Sequence, residues 1–173
     1  MMSPKMTDAL NQQINEEYYS NYIYLAMAAY LEDQDLEGMA HWMRMQAQEE
    51  YLHAMKIFDY MIERGARIEL KSVATPPKEW ESPLASFEAA LEHERVMTNN
   101  INTLADLAIS EKDHATNNVL QWYVTEQVEE ESNVDSIVKK LKMMGADGQA
   151  LFLMDRELAS RPAPTIVGEA GGA

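Results

Sequence analysis

The chain has 173 residues, of which 46% are hydrophobic and 25% charged, enough for one domain with a substantial core. Its formal net charge of −15 argues against nucleic acid and anionic membranes as partners and favours cations. With no cysteine there is no disulfide and no thiolate metal site, so any metal must be held by oxygen and nitrogen.

No basic-then-apolar leader opens the sequence. The longest mainly apolar run, Tyr22–Leu31, is too short to span a bilayer. A soluble, cytoplasmic protein is expected. Ser3-Pro4 reads as an N-cap and first helical position, starting a helix that runs to about Glu32. Its inward line is Leu10, Ile14, Glu17, Asn21, Tyr24, Ala28 and Leu31. A short polar turn follows, with Asp35 read as the next N-cap. The second helix runs from about Leu36 to Arg64 and stops at Gly65. Its inward line is Met43, Gln46, Glu50, His53, Ile57 and Tyr60. Residues 66–82, with Pro76-Pro77 and no helical period, form one long connection. Ser82-Pro83 starts a third helix with Phe87, Ala90, Glu94, Met97, Ile101, Leu104 and Ala108 inward. Asp113 caps a fourth, with Leu120, Tyr123, Gln127, Glu130, Val134, Ile137 and Leu141 inward, ending at Gly145. Asp147 is placed to cap a short fifth helix reaching about Ser160. Residues 1–161 therefore form one domain, and 162–173, rich in Pro, Gly and Ala, are expected to be a disordered tail.

Four long helices joined short–long–short specify an all-α four-helix bundle. The long connection must carry the chain back along the bundle, so the second and third helices run parallel. Among bundles this is the ferritin-like crossover.

Each inward line is apolar except at one level. Glu17 and Glu50 lie symmetrically about the first turn, and Glu94 and Glu130 about the turn near residue 112. An offset of 77 residues maps Glu17 to Glu94, Glu49 to Glu126, Glu50 to Gln127 and His53 to Glu130. The two hairpins are pseudo-repeats whose polar levels coincide. A buried network that merely fixes register is the alternative. Yet four carboxylates and one imidazole cannot satisfy one another, and their repulsion would protonate several of them. Two divalent cations resolve the conflict, one held by Glu17, Glu50 and His53, the other by Glu94 and Glu130, with Glu50 bridging. The donor set suits iron or manganese, with zinc as a competitor.

Four segments carry a resemblance: Ile14-Asn15-Glu16-Glu17-Tyr18-Tyr19, Gln48-Glu49-Glu50-Tyr51-Leu52-His53, His93-Glu94, and Leu120 through Glu131. Over residues 5–160 the chain resembles the non-haem ferritins of bacteria and archaea. That resemblance implies oxidation of Fe(II) by O₂ and storage of Fe(III) oxide-hydroxide in a hollow cage, usually of twenty-four identical subunits. It implies two irons per subunit, the first on Glu17, Glu50 and His53, the second on Glu94 and Glu130 with Gln127 beside it. Glu49, Glu126 and Glu129, sharing Glu130, resemble the family's third iron site. Tyr24 resembles the tyrosine beside the centre, able to give a hydrogen bond or an electron. Gln127-x-x-Glu130 replaces the second Glu-x-x-His of symmetric di-iron proteins. This counts against bacterioferritin and leaves the second iron with weaker ligands. Nothing marks a haem methionine.

Other readings are a rubrerythrin-like di-iron peroxidase, which would carry a four-cysteine iron domain, and a DNA-protecting mini-cage, which would lack the fifth helix. A metal-free structural bundle is the last. His93 is expected at a surface or interface, and His41 and His114 in solvent. Trp122 is either a packing residue or an electron source. Tyr18, Tyr22, Met27, Tyr30, Met39, Trp42, Met45 and Ile62 lie off the inward lines. They are expected to be covered by a second subunit.

Overall fold

The computed structural model describes residues 2–145 and 147–165. It contains α1 (Pro4–Glu32), α2 (Glu37–Glu63), α3 (Pro83–Ser110), α4 (His114–Met144) and α5 (Gly148–Leu158), with no strand among the described residues. None of these helices is long and apolar enough to cross a membrane.

The helix ends follow their local chemistry. The Ser3 hydroxyl accepts from the Met6 N–H, Ser82 from Ala85 and Asp113 from Thr116, each with proline or a polar cap at the start. Gly65 and Gly145 adopt φ of +64° and +57° just beyond α2 and α4, a conformation that favours glycine.

α1 pairs with α2 and α3 with α4, and α1 also lies along α3. The connection between α2 and α3 travels the length of α1. Asn11 anchors its start, donating to the Arg67 carbonyl at 3.0 Å and accepting from the Glu69 N–H at 2.8 Å. Asn15 donates to the Ser72 carbonyl at 3.2 Å, and Trp80 stacks on Tyr30 with ring centroids 5.4 Å apart. The crossover is therefore the one the helix lengths and loop lengths require.

The apolar core is split in two. One cluster gathers Tyr24, Met27, Leu31, Met43, Phe87, Val134 and Leu141; the other gathers Leu10, Ile14, Ile57, Met61, Ile101, Leu104 and Leu120. The polar level lies between them.

Two expectations are corrected. Asp35 does not cap α2: it takes φ +57°, and Leu36 occupies the N-cap with no side-chain bond. The cap comes from α5, whose Asp155 Oδ1 accepts the Met39 N–H at 2.8 Å. Nor do the residues off the inward lines await a partner as a set. Met27, Tyr30, Met39, Trp42 and Met45 are buried within the chain. Trp80 covers Tyr30, and Trp42 packs between Phe87 and the Arg161 guanidinium, so the connection and the C-terminal segment supply the cover. Tyr22 (52%) and Ile62 (56%) stay exposed, joined by Leu25 and Tyr51.

Residues 162–165, which the sequence assigns to the tail, run irregularly beside α2 and α4, where Pro164 and Thr165 meet Leu52 and Trp122. The rest of the tail, 166–173, lies outside the described residues.

α5 sits so close to α2 that a Cβ on Gly38 would lie 1.9 Å from the Asp155 carbonyl oxygen. Gly38→Ala is expected to cost about 1–3 kcal/mol by overpacking. It should lower the unfolding temperature and speed amide exchange across α5. An unchanged temperature with unchanged exchange would show that this approach is not a constraint.

Candidate metal centre

Glu17, Glu50, His53, Glu94 and Glu130 come from four helices and are each 1–3% exposed. Glu50 and His53, three apart on α2, share a face. Ligand atoms of Glu17, Glu50 and His53 lie within 4.8 Å of one another, as do those of Glu50, Glu94 and Glu130. Glu50 belongs to both groups. A further group, Glu49, His53, Glu126 and Glu130, meets the same limit on the α2–α4 side. Glu129 is exposed and outside these groups.

The surrounding side chains hold the carboxylates in place. The Tyr24 hydroxyl donates to Glu94 Oε1, and Gln127 Nε2 donates to Glu94 Oε2 at 3.1 Å. Gln13 Nε2 donates to Glu17 at 2.9 Å. Gln46 Nε2 donates to both Glu50 Oε1 and Glu130 Oε2 at 2.8 Å, tying the two hairpins together. Its buried Oε1 has no hydrogen-bond partner among the described residues. A donor set of carboxylates with one imidazole and no sulfur fits iron.

The sequence matches the ferritin family, described as a ferritin-like domain, over residues 7–144. The chain belongs to this family. A bacterial non-heme ferritin from Bacteroides fragilis is 41% identical over 161 residues, 93% of this chain and 100% of that protein. One from Staphylococcus haemolyticus is 40% identical over 93% of this chain and 97% of its own. Among solved structures, an open-pore ferritin from the hyperthermophilic archaeon Archaeoglobus fulgidus is 52% identical, with a TM-score of 0.93, covering 94% of this chain and 100% of that one.

In this ferritin the charges at the polar level cannot all coexist. Burial raises Glu17 well above its ordinary value, and neighbouring Glu50 adds to it. Burial, then Glu50, raises Glu94 to about 8. Glu130 is raised well above its ordinary value by burial and then by Glu94. Glu50 alone is lowered: burial opposes its ionisation, but His53 and the Gln46 hydrogen bond outweigh it. Burial likewise disfavours the His53 imidazolium, yet Glu50, Glu17 and Glu130 carry its pKa up to about 10. One imidazolium–carboxylate pair, His53 Nδ1 to Glu50 Oε2 at 3.4 Å, stands among carboxyls whose burial favours the proton. A divalent ion held at this level would take the place of such protons.

Gln13 and Gln46 were not assigned a role from the sequence. Both stand four residues before a ligand, Glu17 and Glu50, the spacing at which a helical amide reaches a carboxylate. His93 is half-buried, 2.8 Å from the Ser20 hydroxyl and edge-on to Tyr24. His114 is exposed as expected, whereas His41 is half-buried and bonded to the Arg161 carbonyl. Trp122 stands edge-on to His53, centroids 5.4 Å apart, with Lys56 Nζ 4.5 Å from its ring.

The protonation pattern gives a signed expectation. Folded Glu94 keeps its proton to about pH 8, whereas the unfolded chain releases it near 4.5. Folded His53 keeps its proton to about pH 10, against 6.5 unfolded. The folded state therefore binds more protons, and the metal-free protein should lose stability as pH rises from about 4.5 towards 10. Denaturant titration of chelator-treated protein at several pH values measures this. Stability rising across that range would overturn the assignment.

Proposed function

We propose that this ferritin stores iron and is a ferroxidase, oxidising Fe(II) with O₂ at an intrasubunit pair of sites. The observation that carries the reading is Glu50, whose carboxylate takes part in both buried ligand groups. One Fe(II) enters against Glu17, Glu50 and His53, the second against Glu94 and Glu130. Each gives up one electron and O₂ takes the pair. The chain's part is to hold hard oxygen ligands that favour the ferric state and to keep the site dry between two apolar clusters.

Individual residues have distinct tasks. The Tyr24 hydroxyl fixes Glu94 and lies in reach to supply a proton or an electron. Gln127 supports Glu94 from α4. Because Gln127 and Glu130 stand where α2 has Glu50 and His53, the second position has fewer strong ligands and should exchange its iron more readily. Glu49, Glu126 and Glu129 with Glu130 would take a third iron, His53 standing at its edge. No residue is assigned to haem.

The net charge of −15 per chain draws Fe(II) towards the assembly and favours mineral within it. We read the assembly as a homo-oligomeric cage of 24 subunits, acting in the cytoplasm without nucleic acid or membrane partners. The exposed Tyr22 and Leu25 on α1 and Tyr51 and Ile62 on α2 support a subunit contact on these helices. Contacts between such acidic chains should tighten as salt or bound iron screens them. A monomer at every salt and iron concentration, by sedimentation, would rule out the cage and storage with it.

His53→Ala removes the one nitrogen ligand. Its initial oxidation rate at two Fe(II) per chain should fall at least about 100-fold while sedimentation of the assembly is unchanged. Glu17→Gln, nearly isosteric, should do the same if packing around the alanine gives way. An unaltered rate in both would overturn the centre.

A further inference from the structure

Arg161 lies just beyond α5 and is held at four points. Its guanidinium pairs with the Glu49 carboxylate, the two side chains being 17% and 23% exposed. It stacks over Trp42 at 4.3 Å from the ring centroid. Its Nη1 donates to the Trp42 carbonyl at 3.3 Å. His41 Nε2 stands 2.9 Å from its backbone carbonyl. From this anchor the chain runs on so that Pro164 and Thr165, with Glu49, Leu52, His53, Trp122 and Glu126, line a half-open cleft of about 10 Å³. That is room for about one water.

We propose that Arg161 is a tethered cation that competes with a third iron for Glu49, so that loading the Glu49–His53–Glu126–Glu130 group releases the segment 161–165. This rests on reading that group as an iron site. Glu49 is the one member of the group that an arginine also holds. A guanidinium can only donate, and Arg161 already occupies one oxygen, Oε2, of the carboxylate that a metal in this group would also draw on. A divalent ion on Glu49 would stand a few ångström from the guanidinium charge and repel it. The coupling is reciprocal: the arginine weakens the ion's binding by the factor by which the ion weakens the segment's docking. α5 need not move, since Asp155 and the close approach at Gly38 fix it to α2 independently.

The bland alternative is that Arg161 only ties the C-terminal segment to α2. The two differ in sign. A tie, once cut, loosens the segment without improving cation binding. A competitor, once removed, improves it.

The test uses the assembled protein and Zn²⁺, which binds without redox chemistry. Calorimetric titration should show the third equivalent binding roughly fivefold tighter to Arg161→Gln than to the unaltered chain, the size of a partly screened ion pair. Amide exchange at 159–165 in the unaltered chain should rise between the second and third equivalents of Zn²⁺. Glu126→Gln, which leaves the Arg161 pair in place, should remove that rise. The exchange measurement stands even if Arg161→Gln fails to assemble. Equal third-ion affinity in the two proteins, or exchange that ignores the third ion, overturns the competition and leaves the site reading intact. Only two Zn²⁺ per chain in both proteins overturns the site reading and this inference with it.

Discussion

The structure depends on a charge conflict at its centre. Four carboxyl groups and one imidazole share one level of the bundle, walled above and below by apolar side chains. Water cannot relieve them there, and ionised carboxylates without partners are too costly to bury. The fold tolerates this only because protons, one imidazolium and a set of amides hold the level until a cation does. Much of the remaining architecture serves that arrangement. The crossover along α1 brings α3 in parallel to α2, which sets Glu94 at the height of Glu50. The glutamines on α1, α2 and α4 then reach the carboxylates from three sides.

The pseudo-repeat explains why the level is single and why it is unequal. Equivalent spacing about the two turns puts Glu17 with Glu50 and Glu94 with Glu130. The second hairpin, however, has Gln127 and Glu130 where the first has Glu50 and His53. The sole imidazole therefore sits on one half, and the amide on the other half turns its Nε2 to Glu94. Gln46 offsets this asymmetry, since its amide bonds Glu50 and the far Glu130 together. A repeat thus supplies the geometry, and its departures give the two halves different donor groups.

What could be read from the sequence was local or periodic. Ser3-Pro4, Ser82-Pro83, Asp113, Gly65 and Gly145 mark helix ends through bonds to residues within a few positions. The inward lines follow from spacing by threes and fours, and Glu17, Glu50, His53, Glu94 and Glu130 all lie on them. What escaped came from contacts without period. The α2 cap is Asp155, 116 residues from the Met39 N–H it accepts, so no local signal could find it. Tyr30 and Trp42 looked unpartnered because Trp80 lies in an irregular connection and Arg161 follows the last helix. Gln46 was on the right line, but its two simultaneous bonds needed the relative placement of α2 and α4.

The same physics accounts for what lies at the edge of the centre. Glu49 and Glu126 are drawn towards His53 and Glu130 on a chain with fifteen more acidic than basic charges. Burial raises both carboxyls, and for Glu126 the proximity of Glu49 and Glu129 raises it further, so a positive charge beside this edge relieves it. Two side-chain cations stand nearby: Arg161 against Glu49, and Lys56 over the Trp122 ring. They are not equivalent. Lys56 sits on α2 itself and engages an aromatic face, so it need not yield a carboxylate to an incoming ion. Arg161 follows the helix that breaks the pseudo-repeat and holds one oxygen of a carboxylate in the candidate ion group. The element without a counterpart in the first hairpin thus brings a counter-charge to an edge where the repeated helices contribute mainly acid. A bundle built only from the repeat would leave Glu49 more dependent on protons or dissolved cations.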